Sequence, residues 1–71
     1  MDGWTAETSD LRLRIEQWPE GFYLFVIRKP ATIPFRDELQ DTLEIAMNVA
    51  HDDYAVEAAT WIRDSWPASL R

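Results

Sequence analysis

The segment "HDDYAVE", residues 51 to 57, holds the one group of side chains whose types could coordinate a metal or exchange protons. A structural zinc site draws on several Cys and His ligands, but this chain has a single His and no Cys. On a helix, Asp53 and Glu57 share a face while His51 points roughly 160° away from Asp53. An aspartate that caps a helix explains the same residues. We therefore predict no metal site and no cofactor.

Nucleophilic catalysis has no better support in the sequence. Ser9, Ser65 and Ser69 lie near the ends of the chain, and any triad would have to use the one His. The two glycines, Gly3 and Gly21, are too far apart to form a loop that cradles a phosphate. Because every element of an active site is missing from the pattern, we predict that the protein is not an enzyme.

A different chemistry is indicated by arginines that alternate with aromatic residues. Arg12, Arg14 and Arg28 are expected on one sheet face with Trp18 and Phe22. Arginines and aromatics on an open sheet bind single-stranded nucleic acid by phosphate contact and base stacking. Nucleic-acid binding through this face is one hypothesis, but the overall charge disfavours it. The favoured interpretation is that these arginines pair with Glu16 and the acidic helix, or simply solvate the sheet.

The overall charge favours a basic partner. Thirteen Asp and Glu stand against seven Lys and Arg, which gives a net charge of −6 and a pI near 4.5. Residues 37 to 64 hold eight acids against Arg63 alone. Such a chain repels nucleic acid and anionic lipid as a whole. The acidic half is either a solvated face or a surface for a protein partner with a basic surface.

In size and charge alone, without a sequence match, the chain resembles small phage inhibitor proteins, anti-CRISPRs among them. That resemblance implies an acidic surface that imitates a phosphate backbone and occupies a nucleic-acid site on a basic target.

A β-hairpin over residues 11 to 29 must position these side chains. In "LRLRIEQW", apolar residues alternate with charged ones, which is the period of a half-buried strand. The segment "WPEGF" predicts a turn in which Gly21 takes a positive φ and closes a three-residue loop of residues 19 to 21. This loop would place Trp18 opposite Phe22 and make the numbers of paired residues sum to 40.

The register divides the hairpin into two apolar faces. The predicted core face holds Leu11, Leu13, Ile15, Tyr23, Phe25 and Ile27. The opposite face holds Trp18, Phe22, Leu24 and Val26, with Arg12 and Arg14 at its border. We expect a partner to cover this second face, either a target protein or a second copy of the chain. The competing expectation is that Trp4, Trp61 or Trp66 folds over it and makes it core.

A helical pattern begins near Asp37. Asp37 and Gln40 are spaced as a capping box, and an apolar stripe follows at intervals of three and four residues: Leu39, Leu43, Ala46, Met47, Ala50 and Tyr54. The opposite side is acidic and solvent-facing: Asp37, Asp41, Glu44, Asn48 and Asp52. A break near 51–53 is expected, with a second helix that turns Tyr54, Ala58, Trp61 and Ile62 inward and ends at Pro67.

These elements predict a single small α+β domain, ββα(α), over residues 1–71. It comprises a loose arm (1–10), the hairpin (11–29), one long or two consecutive amphipathic helices (36–66) and a tail (67–71). A third short strand from residues 3 to 7 is the alternative for the arm. No stretch approaches the ~20 apolar residues of a membrane span, and the acidic N-terminus is unlike a signal peptide, so we expect a soluble, cytoplasmic protein.

The function predicted from the sequence is a non-catalytic protein-binding module that acts stoichiometrically. Its binding residues are predicted to be Arg12, Arg14, Trp18, Phe22, Leu24, Val26, Asp37, Asp41, Glu44 and Asp52. A homodimeric structural module without an external target is the first alternative, and the nucleic-acid face is the second.

Overall fold

A computed structural model describes residues 1–65, and these residues form a five-stranded antiparallel sheet with one α-helix. The elements are β1 (Asp2–Glu7), β2 (Leu11–Trp18), β3 (Gly21–Arg28), β4 (Arg36–Gln40), α1 (Leu43–Tyr54), a 3₁₀ turn (Ala58–Thr60) and β5 (Ile62–Ser65). The strand order is β4-β3-β2-β1-β5. The α+β class is confirmed, but the second helix is absent from the described residues.

The β2–β3 hairpin is closed by two residues, Pro19 and Glu20, because Trp18 pairs with Gly21. The predicted three-residue loop is therefore wrong, and the register differs by one residue. Gly21 does have the predicted positive φ, at 150°. Gly21 is the first residue of β3. A Cβ at this position would lie 2.5 Å from the carbonyl oxygen of Gln40.

The one-residue difference exchanges the two faces of β3, since successive side chains of a strand point in opposite directions. Leu13 pairs with Val26 and Ile15 pairs with Leu24. All four side chains are 0% exposed and form the centre of the core. Tyr23, Phe25 and Ile27, predicted as core, lie on the other face and are only half-buried.

The predicted loose arm is a strand, and the alternative of a third strand is confirmed. β1 pairs with β2 on one side and with β5 on the other. Trp4 lies opposite Ile15, on the core side, and its ring centroid is 6.0 Å from that of Phe22. The arm thus helps to bury Phe22, as the competing expectation proposed.

The helix begins at Leu43 rather than near Asp37. Thr42 is its N-cap, and the Thr42 hydroxyl accepts a hydrogen bond of 3.1 Å from the Ile45 amide. Asp37 instead lies in β4 opposite Phe25, so the predicted capping box is wrong. Segment "RDELQ" contains good helix formers, but pairing with the edge of β3 overrides that local preference.

The predicted apolar stripe of the helix is confirmed from Leu43 onward. Ala46 and Ala50 are fully buried against the sheet, and Leu43, Met47 and Tyr54 pack around them. Leu39 is the exception, because it belongs to β4. The helix ends at Tyr54, close to the predicted break, where Ala55 takes φ 59° and its amide donates to the carbonyl of His51.

The segment after α1 differs from the predicted second helix. Trp61 is 9% exposed and joins the core as predicted, but Ile62 is 71% exposed, and Ala58 is also exposed. The chain crosses back to form β5 at the far edge of the sheet. The expectations for Trp66 and for the tail after Pro67 lie outside the described residues.

Arg36 links the end of α1 to β4 through side-chain hydrogen bonds and ion pairs. Its guanidinium donates to Asp53 Oδ2 at 2.6 Å and to Tyr54 Oη at 2.9 Å, and it also pairs with Glu38. The hydrogen bond with Tyr54, followed by that with Asp53, raises the pKa of Arg36.

Over residues 1–65, α1 and the 3₁₀ turn are too short and polar to cross a membrane.

Candidate binding site on the open sheet face

The sheet has a covered face, which packs against α1, and an open face, defined here by the side chains that point away from α1. On β2 and β3 the open face holds Arg12, Arg14, Glu16, Trp18, Tyr23, Phe25 and Ile27, and on β4 it holds Asp37 and Leu39. Thr5, Glu7, Ile62 and Asp64 complete it on β1 and β5. Within residues 1–65, no helix lies over this face.

Arg14 is the centre of a polar network on the open face. Its Nη1 and Nη2 atoms donate to the two carboxylate oxygens of Asp64 at 3.0 and 3.2 Å. Nη1 also donates to Thr5 Oγ1 at 2.9 Å, and Nε donates to Glu16 Oε2 at 3.0 Å. Trp18 Nε1 donates to the other oxygen of Glu16 at 3.2 Å. Strands β5, β1 and β2 are thereby joined through one guanidinium.

This network contains a buried carboxylate, that of Glu16. Glu16 is 4% exposed, and its two carboxylate oxygens are held by Arg14 and Trp18. A buried carboxylate needs such partners, because water no longer solvates its charge. Gly3 leaves the space that the network occupies: a Cβ at Gly3 would lie 2.5 Å from Arg14 Nη2 and 2.7 Å from Asp64 Oδ1.

The positive charge of Arg14 is paired with two carboxylates of the same molecule. Burial lowers the pKa of Arg14, but the hydrogen bonds with Asp64 and Glu16 and the charges of these two carboxylates outweigh burial, so the pKa is raised overall. A guanidinium that contacts two carboxylates has little positive potential left for a phosphate. The network therefore joins the strands of the sheet through paired charges.

Three aromatic rings lie beside the network, at the β2–β3 end of the open face. Trp18 and Tyr23 meet edge to face, with centroids 6.3 Å apart and an interplanar angle of 86°. Tyr23 and Phe25 are stacked, with centroids 6.1 Å apart and an angle of 22°. All three side chains are half-buried, so ring surface remains accessible.

Two shallow depressions flank Phe25. The first, of about 350 Å³, is lined by Trp18, Glu20, Tyr23, Phe25 and Asp37, and we call it the aromatic pocket. The second, of about 400 Å³, is bounded by Arg14, Glu16, Ile27 and the loop residues Thr32 and Pro34, and it shares Phe25 and Asp37 with the first. Phe25 and Asp37 thus line both depressions.

The structure brings together only part of the site that the sequence predicts. Arg12, Arg14, Trp18 and Asp37 lie on the open face. Phe22, Leu24 and Val26 lie on the covered face, and Leu24 and Val26 are 0% exposed. The predicted exposed patch of these three residues is therefore wrong.

The three remaining predicted residues lie away from the open face. Asp41 is in the turn before α1, and Glu44 and Asp52 are exposed on α1, which packs on the other side of the sheet. The acids predicted as one helical face are thus divided between β4, a turn and α1.

Sequence reasoning predicted Tyr23, Phe25 and Ile27 as core and so missed them as surface residues. The signal that could have found them is the length of the turn. If the loop holds only Pro19 and Glu20, then Tyr23, Phe25 and Ile27 share a face with the charged residues of β2.

The acidic turn around His51 does not assemble a metal site. His51 Nδ1 is 3.5 Å from Asp52 Oδ1, and His51 Nε2 is 4.0 Å from Glu57 Oε2. Among residues 1–65, no three His, Asp or Glu side chains are grouped so as to hold an ion.

Comparison with known proteins gives no relative from which a role could be transferred: no protein-family model, curated protein sequence or solved structure matches the chain.

Proposed function

We propose that the protein is a non-catalytic binding protein that acts stoichiometrically and binds another protein through the open sheet face. The observation that carries this proposal is the group of accessible rings, Trp18, Tyr23 and Phe25, on a face that no helix of residues 1–65 covers. Trp and Tyr are enriched among the residues that contribute most to protein interfaces, because they bury much area with little loss of side-chain freedom.

The rigidity of this face also supports binding. Trp18 is tied to Glu16, Glu16 is tied to Arg14, and Arg14 is tied across the sheet to Asp64. Tyr23 is held by a hydrogen bond of 3.0 Å from its hydroxyl to Glu20. Side chains that are ordered before binding lose less conformational entropy when a partner arrives.

The negative charge of the open face favours a partner with a basic surface. Glu20 and Asp37 line the aromatic pocket, Asp37 also lines the adjoining depression, and the whole chain carries −6. A partner with a basic surface is attracted over a distance and docks faster, since opposite potentials steer the encounter.

Two alternative functions have less support. Rings on a sheet also suit base stacking, but the pocket carboxylates repel phosphates, and Arg14 is paired with acids. Imitation of a phosphate backbone, as in the phage inhibitors, calls for a continuous acidic surface, whereas the predicted acids are divided between two sides of the sheet.

Affinity capture with matched variants tests the proposal. Wild-type protein, Phe25→Thr on the open face and Asp52→Asn on the exposed side of α1 are immobilised, and proteins retained from a cell lysate are quantified by mass spectrometry. We expect at least one protein retained by wild type and Asp52→Asn but lost with Phe25→Thr. Thermal melts followed by circular dichroism establish that all three are folded.

Three results would contradict the proposal. One is retention of the same proteins by Phe25→Thr as by wild type. Another is a wild-type protein that retains only itself and is a dimer by light scattering, which would indicate the homodimeric module. The third is tight, salt-dependent binding of single-stranded oligonucleotides by wild type, which would indicate the nucleic-acid face.

A further inference from the structure

The aromatic pocket combines ring faces and carboxylates at one place on the open face. Trp18 and Phe25 stand on either side of Tyr23, at 6.3 and 6.1 Å between centroids, and the carboxylates of Glu20 and Asp37 complete the lining. A volume of about 350 Å³ is at the lower end of the range for small-ligand sites, ~300–1,000 Å³. The pocket therefore has room for one long side chain and not for a folded segment.

The pocket carboxylates are not neutralised by the ion pairs of residues 1–65. The basic side chains in those pairs contact other acids: Asp2, Glu7, Glu16, Glu38, Asp52, Asp53, Glu57 and Asp64. Neither Glu20 nor Asp37 is among them, although Glu20 accepts the hydrogen bond from the Tyr23 hydroxyl. Two negative charges therefore border ring faces that are themselves negative at their centres.

The same carboxylates act on the pKa of Tyr23. The hydrogen bond to Glu20 is the largest cause that raises the pKa of Tyr23, followed by burial and by the charges of Glu20 and Asp37. A potential that opposes formation of a phenolate favours a cation at the same place.

We infer that the aromatic pocket binds an arginine side chain of the partner protein, with the guanidinium against the rings of Trp18, Tyr23 and Phe25 and hydrogen-bonded to Asp37 or Glu20. This inference rests on the proposed function, and it assigns the chemical group that the open face recognises. A cation over an aromatic face within about 6 Å of the centroid is attracted by the ring quadrupole. A planar guanidinium can stack on a ring and donate to a carboxylate together, which the compact, strongly hydrated ammonium of lysine does less well.

The test uses small probes that isolate this chemistry. N-acetyl-arginine amide is titrated into ¹⁵N-labelled protein, and amide and indole resonances are followed by NMR. N-acetyl-citrulline amide, which has nearly the same shape without the charge, is the control probe, and N-acetyl-lysine amide compares the two cations. A Trp18→Phe variant identifies the Trp18 indole resonance among those of the four tryptophans.

We expect weak, saturable shifts for the arginine probe at Trp18, Tyr23, Phe25 and Asp37, and none for the citrulline probe. Asp37→Asn should weaken the binding of the arginine probe about two- to fivefold, since one exposed charge contact is lost. Asp52→Asn makes the same charge change on the exposed side of α1 and should leave the affinity unchanged.

Equal shifts with citrulline, shifts spread over the whole surface, or tighter binding of the lysine probe would overturn the inference. Failure of the inference can be told apart from failure of the proposed function. If the arginine probe does not bind but Phe25→Thr still loses a captured protein, the open face binds by other contacts and only the arginine assignment is wrong. If capture survives Phe25→Thr, the proposed function is wrong whatever the probes do.

Discussion

The two faces of the sheet are built from the same strands and have opposite chemistry. The covered face holds Leu13, Ile15, Leu24 and Val26, all 0% exposed, beneath α1. The open face holds the Arg14 network and the aromatic pocket. Because alternate residues of a strand point to opposite faces, the one helix of residues 1–65 buries one face and leaves ring surface accessible on the other.

Small residues on the helix make the covered face possible. Ala46 and Ala50 are 0% exposed, so α1 lies close to the sheet and the aliphatic side chains of β2 and β3 fill the space beneath it. Burial of this apolar area contributes ~25 cal/mol per Å², and no disulfide assists, because the chain has no Cys. Stability therefore depends mainly on the covered face.

The largest contrast is expected between two leucines. Leu24→Ala removes a fully buried side chain and should lower the free energy of unfolding by ~2–5 kcal/mol through lost burial and a cavity. Leu39→Ala on the open face, where Leu39 is 46% exposed, should cost less than ~1 kcal/mol. Urea unfolding followed by circular dichroism measures both. Equal losses would mean that the two faces do not differ in this way.

Removal of the Arg14 charge should give the next largest effect. Arg14→Met leaves the buried Glu16 carboxylate with Trp18 as its remaining described side-chain donor, and should cost ~2–3 kcal/mol. The double variant Arg14→Met, Glu16→Met removes both charges and should be more stable than Arg14→Met alone. A double-mutant cycle by chemical denaturation measures the coupling, and additive losses would show that the pair does not interact.

The turn that sets the register should be sensitive to a side chain at Gly21. Gly21→Val places a β-branched residue at φ 150° and drives its Cβ against the backbone of Gln40, so the expected loss is ~1–3 kcal/mol. Gln17→Val is the comparison, because it places the same β-branched residue at an exposed strand position of β2 and should cost less. Thermal melts rank the two, and the reverse order would contradict the hairpin as described.

The smallest expected effect is a change in the pKa of Tyr23 on the open face. Glu20→Gln removes the carboxylate that accepts from Tyr23, so the pKa of Tyr23 should fall toward its ordinary value. Ultraviolet absorbance measures this in a Tyr54→Phe background, with Glu44→Gln as the control. In the wild type, the raised pKa stabilises the fold below the pKa of an unfolded tyrosine, and this contribution is lost as pH rises through the folded pKa. An unchanged pKa in Glu20→Gln would contradict the described bond.

The strands and the helix could be predicted from the sequence better than the register in which β2 and β3 pair. Alternation in β2 and the stripe of α1 from Leu43 to Tyr54 were predictable, because half-buried elements show their period in the residue types. "FYLFVI" has no such period, since it is apolar on both faces, and "WPEGF" is compatible with a loop of two or three residues. The exposed face of β3 was therefore predicted on the wrong side of the strand.

Two further differences have a common physical reason. "RDELQ" and the segment before Trp61 have helical patterns, yet one forms β4 and the other leads into β5. Each strand pairs with an edge that would otherwise expose unpaired amides and carbonyls, β3 in one case and β1 in the other. Local sequence cannot report an edge formed by a distant strand.

Cysteine labelling at adjacent residues of β3 tests the central claim most directly, because the natural chain has no thiol. Ile27→Cys and Val26→Cys are reacted with a maleimide under native conditions, before and after the protein captured by wild type is added. We predict that Ile27→Cys reacts in the free protein and is protected in the complex, whereas Val26→Cys is protected in both. Fast reaction of Val26→Cys, or an unchanged rate for Ile27→Cys in the complex, would contradict the assignment of burial to one face and binding to the other.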